Sequence, residues 1–243
     1  MKVNVLTLFP EMFPAVTSSI LGKAAEKDIL DFSFINIRDF SLDKHKKADD
    51  YPFGGGQGMV MMAQPICDAL DSVNAGEHRI IYMSPRGKII DRDIIENLAG
   101  EEEFTILCGH YEGVDQRVID MYDMEELSIG DYILTGGELA AMVLMDSVAR
   151  MVPGVLASRE AALEESVYSG LLEYPQYTRP REFRGMEVPE VLTGGNHRLV
   201  YLWQLEQSLS VTRERRPEMF EEYVKNHGDL AKDEREVLEK FLK

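Results

Sequence analysis

The chain is poor in the features that would fix it outside the cell or within a bilayer. Its 243 residues contain two cysteines, Cys67 and Cys108. Both lie in segments that read as a helix and a buried strand, without CxxC or Cys/His spacing, so neither a disulfide framework nor a thiolate metal site is indicated. They are expected to be reduced core thiols. No apolar run nears the roughly 20 residues of a membrane span. The opening MKVNVLTLFPEMFP lacks a basic region followed by a long apolar core, and a soluble, unexported, cytoplasmic protein is expected. Positive charge is scarce: 26 Lys and Arg against 43 Asp and Glu give a net −17, so most of the surface must repel a polyanion. A P-loop is missing as well, because the GGGQG run at Gly54–Gly58 has no Lys-Ser/Thr after it and does not follow a strand. There is no internal repeat.

What is present is an alternation of short β-rich runs and helical stretches, the pattern of an α/β fold with a mostly parallel sheet covered by helices. Strands are expected at Val3–Leu8, Phe32–Ile37, Arg79–Met83 and Phe104–Cys108, and helices at Leu21–Lys27, Gln64–Ser72 and Asp91–Leu98. In such sheets ligands gather beyond the carboxyl ends of the strands. The loops Ser84–Gly87, Gly109–Gly113 and Gly130–Gly137 should therefore meet at one crevice. The last of these is the most distinctive segment of the chain. Two glycine turns flank Tyr132, Ile133 and Leu134, and apolar residues recur at helical spacing from Glu138 towards Arg150. Glycine there would let a ligand approach the main chain, beside the unpaired N–H groups of a helix start. After Leu156 the texture becomes charged, small and polar, as in a linker. Helical periodicity returns over Asn196–Gln207 and Pro217–Leu242, suggesting a small helical domain. The acidic excess is also uneven, with Arg179, Arg181, Arg184, Arg198, Arg213, Arg215 and Arg216 concentrated in one stretch. That stretch is either a basic face for a nucleic acid or a solvated surface on which these arginines pair with Glu182, Glu187, Glu206 and Glu214.

The run SIGDYILTGGELAAMVLMDSVARMVPGVL, together with LCGHYEGVDQRV, GGGQGMVM and YPQYTRP, resembles the bacterial tRNA (guanine-N1)-methyltransferases that modify the base 3′ of the anticodon. The likeness covers nearly the whole chain. It implies a trefoil-knotted methyltransferase domain over residues 1–157, an interdomain linker over 158–170 and a helical tRNA-binding domain over 171–243. It also implies a homodimer whose active sites take residues from both subunits, S-adenosylmethionine as methyl donor, and tRNA as partner. Magnesium is associated with the family's activity, yet no oxygen-ligand loop is recognisable.

Neutral guanine carries a proton on N1, so methylation there needs a general base near N1 and a cation or donor near O6. By resemblance Arg150 faces the guanine; its alternative is a surface pair with Asp146 on the same helix face. The family's catalytic aspartate position is Glu165 here, and a second aspartate position downstream is Glu173. The longer stem moves the carboxylate by about 1.5 Å. A solvated charged turn at Glu164 and Glu165 is the plainer alternative. The resemblance assigns the cofactor to Tyr82, Gly109, Tyr111, Glu112, Gly113, Ile129, Gly130, Asp131, Tyr132, Ile133, Leu134, Gly136 and Gly137, where Glu112 or another carboxylate can face the donor's positive end. It assigns the substrate to Asp50, Arg179, Asn196 and His197, and no metal ligand. His45, Lys46 and Lys47 form a further short run able to touch phosphate. The family usually has proline where Gln57 stands. Two other readings stay open: an RNA-binding relative weakened by Glu165, and a knotted methyltransferase acting on ribose or another base.

Overall fold

A computed structural model describes residues 1–156, 166–226 and 230–242, and the chain divides into two compact units, Met1–Arg159 and Glu160–Lys243. In the first unit the described elements are β1 (Lys2–Thr7), α1 (Ile20–Ala25), β2 (Asp31–Asn36), β3 (Asp49–Asp50), β4 (Val60–Met61), α2 (Ala63–Ser72), β5 (Arg79–Ile89), α3 (Arg92–Ala99), β6 (Glu103–Cys108), α4 (Gln116–Met121), β7 (Glu125–Ser128) and α5 (Glu138–Ala149). Five strands form one sheet in the order β2-β1-β6-β5-β7, parallel throughout. β3 and β4 make a separate antiparallel hairpin.

Parallel strands covered on both faces must bury both sets of alternating side chains, and these do. Val3, Val5, Ile81, Met83, Phe104, Ile106 and Cys108 point to the face packed by α3 and α5, where Ile94, Leu98, Leu144 and Val148 complete one core. Leu6, Ile80, Tyr82 and Leu107 point to the other, against Ile66 and Leu70 of α2 and Val118 and Ile119 of α4. The thiols behave as expected of a reduced pair: Cys108 is buried and Cys67 half-buried, both free. Burial pushes both pKa values up, with nearby carboxylates adding to the shift.

At the start of the sheet, Lys2 Nζ lies 2.9 Å from Glu103 and Asn4 Nδ2 donates to the same carboxylate at 2.8 Å. These partners, the lysine foremost, hold the Glu103 carboxyl below its usual range. A depressed carboxyl pKa contributes stability above the unfolded value of about 4.3 that disappears as pH falls through the folded value. Glu103→Gln is thus expected to destabilise at pH 7 and to matter progressively less as pH falls below the usual carboxylate range, as denaturant unfolding across a pH series would show.

The strand beginning at Arg79 is longer than its sequence suggests. Ser-Pro-Arg-Gly reads as a turn that ends it, but Met83 and Lys88 both register with Leu127, so Ser84–Gly87 bulge out and pairing then resumes. The return depends on Gly87: a Cβ there would lie 2.4 Å from the Glu126 and Leu127 main chain. α4 and β7 have no strong periodic signature, being only six and four residues long.

The second unit contains a short hairpin, β8 (Glu182–Phe183) and β9 (Met186–Glu187), and helices α6 (His197–Arg215), α7 (Pro217–Asn226) and α8 (Lys232–Glu239). Leu171, Leu205, Leu209, Phe220, Tyr223, Val237 and Leu238 form its core. The helical pattern expected from Pro217 to Leu242 is therefore two helices, each with its own apolar stripe, while α6 runs eight residues past Gln207. Asn196 caps α6, its Oδ1 accepting from the N–H groups of Arg198 and Leu199 at 3.2 Å each.

Candidate active site

A cavity of about 370 Å³ opens beyond the carboxyl ends of β5, β6 and β7, the location that parallel α/β sheets reserve for ligands. Its walls are Tyr82–Arg86 from β5 and the bulge, Gly109–Val114 and Gln116 after β6, Leu127–Gly130 and Tyr132–Gly137 around the last glycine loop, and Ala140 of α5. The three loops expected to converge do so. Of the thirteen positions that the resemblance assigns to the cofactor, twelve line this cavity; Asp131 is exposed and does not.

The glycines of these loops turn out to serve the protein's own packing rather than simple access for a ligand. A Cβ on Gly109 would meet the Tyr82 ring at 2.8 Å, and one on Gly130 the Tyr132 ring at 2.7 Å. One on Gly137 would lie 2.9 Å from the Gly109 nitrogen and 3.0 Å from Cys108 Cα. There the chain crosses itself backbone to backbone, tied by the Gly137 N–H donating to the Gly109 carbonyl at 2.7 Å. The glycines thus draw three loops together, and the cavity is the space their turns enclose.

The side chains around it are mostly uncharged. Burial, with Glu126 nearby, raises the Tyr82 pKa against the opposing effect of Arg86, so its hydroxyl stays protonated at neutral pH. His110 packs edge to face on Tyr111, with ring centroids 4.8 Å apart, and its buried Nδ1 has no partner among the described residues. Tyr111 holds φ +59°, a left-handed backbone that costs a non-glycine residue about 1–3 kcal/mol. Behind the glycine loop Glu138 is buried at the start of α5 and accepts a hydrogen bond from Thr7 Oγ1 at 2.9 Å. Among the described residues no cluster of three or more His, Cys, Asp or Glu is placed to hold a metal.

The other expected site residues lie elsewhere. Arg150 caps the far end of α5, about 15 Å along the helix from Ala140 at 1.5 Å per residue. Its own cavity is therefore out of its reach. Asp50 is exposed on β3, with Lys47 Nζ 3.9 Å away, and the hairpin carrying it is tied to the cavity loop by the Glu112 N–H donating to the Met59 carbonyl at 3.0 Å. Glu165 and Glu164 fall outside the described residues. In the second unit Arg179, Asn196 and His197 are exposed. Arg198 engages Asp233 and Glu234, and Arg216 engages Glu218, so arginine pairing is real but with these acids rather than with Glu182, Glu187, Glu206 or Glu214. Arg179, Arg181, Arg213 and Arg215 have no ion pair among the described residues. Sequence patterning points to neither Arg86 nor His110, although both sit inside the loops it marks.

This architecture has counterparts. A family model described as tRNA (Guanine-1)-methyltransferase TrmD matches residues 1–222. A tRNA (guanine-N(1)-)-methyltransferase of Clostridium perfringens (strain 13 / Type A) is 52% identical over 231 residues, covering 95% of this chain and 98% of that protein. One of Clostridium tetani is 49% identical over 238 residues, covering 98% and 97%. A third, of Clostridium kluyveri, is 49% identical over 241 residues, covering 99% and 96%. A match this even from end to end takes in every loop that builds the cavity, and with it the chain belongs to the tRNA (guanine-1)-methyltransferase family.

Proposed function

We propose that the protein transfers a methyl group from S-adenosylmethionine to N1 of guanine 37 in tRNA, next to the anticodon, as a cytoplasmic homodimer with a trefoil-knotted first domain. The observation that carries this reading is the cavity of glycine-drawn loops at the carboxyl edge of the parallel sheet, in a chain that matches guanine-N1 methyltransferases along its whole length. The knot rests on membership of the family.

The cavity suits this donor. Its volume is in the range of small-molecule sites, and Tyr82, Leu127, Ile129 and Leu134 offer apolar walls for a purine. When bound, S-adenosylmethionine supplies an activated methyl group on a sulfonium, which leaves alignment and proton removal to the protein. Glu165 takes the N1 proton, and Arg150 offsets the negative charge that collects on O6 as it leaves. Asp50, Arg179, Asn196 and His197 hold the RNA, the arginine by phosphate contact and Asn196 through the amide left over from capping.

Two features support a dimer with shared sites. Arg150 stands at the far end of α5 from the cavity of its own chain, which favours its delivery to the site from a second chain. Leu139 and Val143, one turn apart on α5, are 48% and 49% exposed on a helix whose other apolar residues are buried or half-buried, an apolar stripe that suits burial against another chain. Val143→Asp is expected to yield monomers in sedimentation velocity and to lose methyl transfer, with the cavity still able to bind S-adenosylhomocysteine. A dimer of undiminished activity would show that this stripe is not the interface.

The function itself is tested by incubating the protein with S-adenosylmethionine and a tRNA transcript bearing guanine 37, then digesting to nucleosides. 1-Methylguanosine at that position, absent when adenine replaces the guanine, is the expected product. A ribose-methylated nucleoside would move the chain to another reaction.

A further inference from the structure

Among the described residues lining the cavity, Arg86 is the one Lys or Arg. It stands on the Ser84–Gly87 bulge. One of its terminal nitrogens, Nη2, donates to both carboxylate oxygens of Glu126 at 3.2 Å and to Gln116 Oε1 at 3.4 Å. Nε and Nη1, which carry three further N–H donors, have no partner among the described residues. The guanidinium is thus anchored through one nitrogen and keeps most of its donors for something else.

The methyl donor carries a single anionic group, the carboxylate at its amino-acid end. The other place that commonly receives an anion, the N-terminus of a helix, is closed here. Glu138 already puts a buried carboxylate at the start of α5, and the Gly137 N–H is spent on Gly109. A second carboxylate beside Glu138 would be repelled. On these grounds, and resting on the reading of the cavity as the S-adenosylmethionine site, we propose that Arg86 binds the carboxylate of the donor's methionine end, with Glu126 and Gln116 as its positioning residues. The bulge then has a purpose: it lifts one cation out of the strand edge and into the cavity wall, while Gly87 lets the strand resume. Glu112, on the neighbouring loop, supplies the opposite charge for the ammonium of the same zwitterionic end.

The test is calorimetric and needs no turnover. S-Adenosylhomocysteine and its decarboxylated analogue are titrated into the full-length protein and into Arg86→Gln and Arg86→Lys. For Arg86→Gln the affinity for S-adenosylhomocysteine is expected to fall on the order of tenfold, the loss of a charge-assisted hydrogen bond, while the decarboxylated analogue changes less than about twofold. Arg86→Lys keeps the charge without the fork and should lie between. Equal weakening of both ligands would overturn the proposal, since it would mean that Arg86 merely shapes the bulge; so would no change in either. If the unsubstituted protein binds neither ligand, the cofactor reading fails first and takes this inference with it.

Discussion

Glu165→Gln is expected to lower single-turnover methyl transfer to a guanine-37 anticodon-loop RNA by about two to four orders of magnitude, the usual contribution of a positioned general base. The affinity for S-adenosylhomocysteine should stay within about twofold, because the substitution removes a charge without changing the size of the side chain. Glutamine keeps the size and hydrogen-bonding capacity of the side chain but cannot accept the N1 proton, so the loss belongs to the chemical step. In the unsubstituted protein the rate should rise with pH and level off once the carboxylate is ionised. Glu165→Asp tests the longer stem separately. A misplacement of ~1 Å can cost on the order of a hundredfold, so the direction of its effect shows whether this chain has adapted to glutamate. Reaction of all three forms at one rate would place the base elsewhere; donor binding without turnover, restored by aspartate, would identify a disabled relative.

Gly137→Ala is expected both to destabilise the first unit and to abolish ligand binding. The residue has ordinary helical angles, φ −79° and ψ −8°, so the backbone conformation itself would accept alanine. The obstacle is space: the new Cβ would stand 2.9 to 3.3 Å from the Gly109 nitrogen and the Cys108 Cα and carbonyl carbon. Those atoms belong to main chain at the end of a central strand and cannot swing aside as a side chain could. Overpacking of this kind costs about 1–3 kcal/mol and occasionally more, or about 2–12 °C in Tm for a domain of this size. Separating Gly137 from Gly109 would also pull opposite walls of the cavity away from each other. Gly76→Ala is the control, with nothing within 4 Å of its Cβ, and it should be neutral or slightly stabilising. If calorimetric melting finds the two variants alike, the Gly137–Gly109 contact has room for a methyl group.

The elements that the sequence displayed were those with sustained periodicity or a strong apolar run. β1, β6 and the first half of β5 are near-continuous apolar segments because both faces are buried, and α5 follows a double glycine that marks its start. Short elements escaped, as α4 and β7 offer too few residues for a period to emerge. The Ser84–Gly87 bulge misled because a turn signature says that the chain leaves the strand, not whether it comes back. At the site, the loops could be named but not their internal logic. Gly109 and Gly130 look like openings for a ligand when read alone; only the positions of Tyr82 and Tyr132, distant or adjacent in sequence, show that they are seats for aromatic rings. Arg86 was hidden for the same reason, since a lone arginine in a turn acquires meaning only from the cavity beside it.

The strand order has a consequence for how the protein is made. β1, made before the other four strands of its sheet, finds β2 on one side soon afterwards, but its other neighbour is β6, about a hundred residues later. At translation speeds of about 5–20 residues per second, that edge waits roughly 5–20 s for its partner. During this interval an apolar strand, buried on both faces in the finished protein, presents open hydrogen-bonding groups to any other nascent chain, the circumstance in which edge strands aggregate. Yield in cells should therefore depend on elongation rate and on chaperones that hold the N-terminal strand, even for sequences whose finished stability is unchanged.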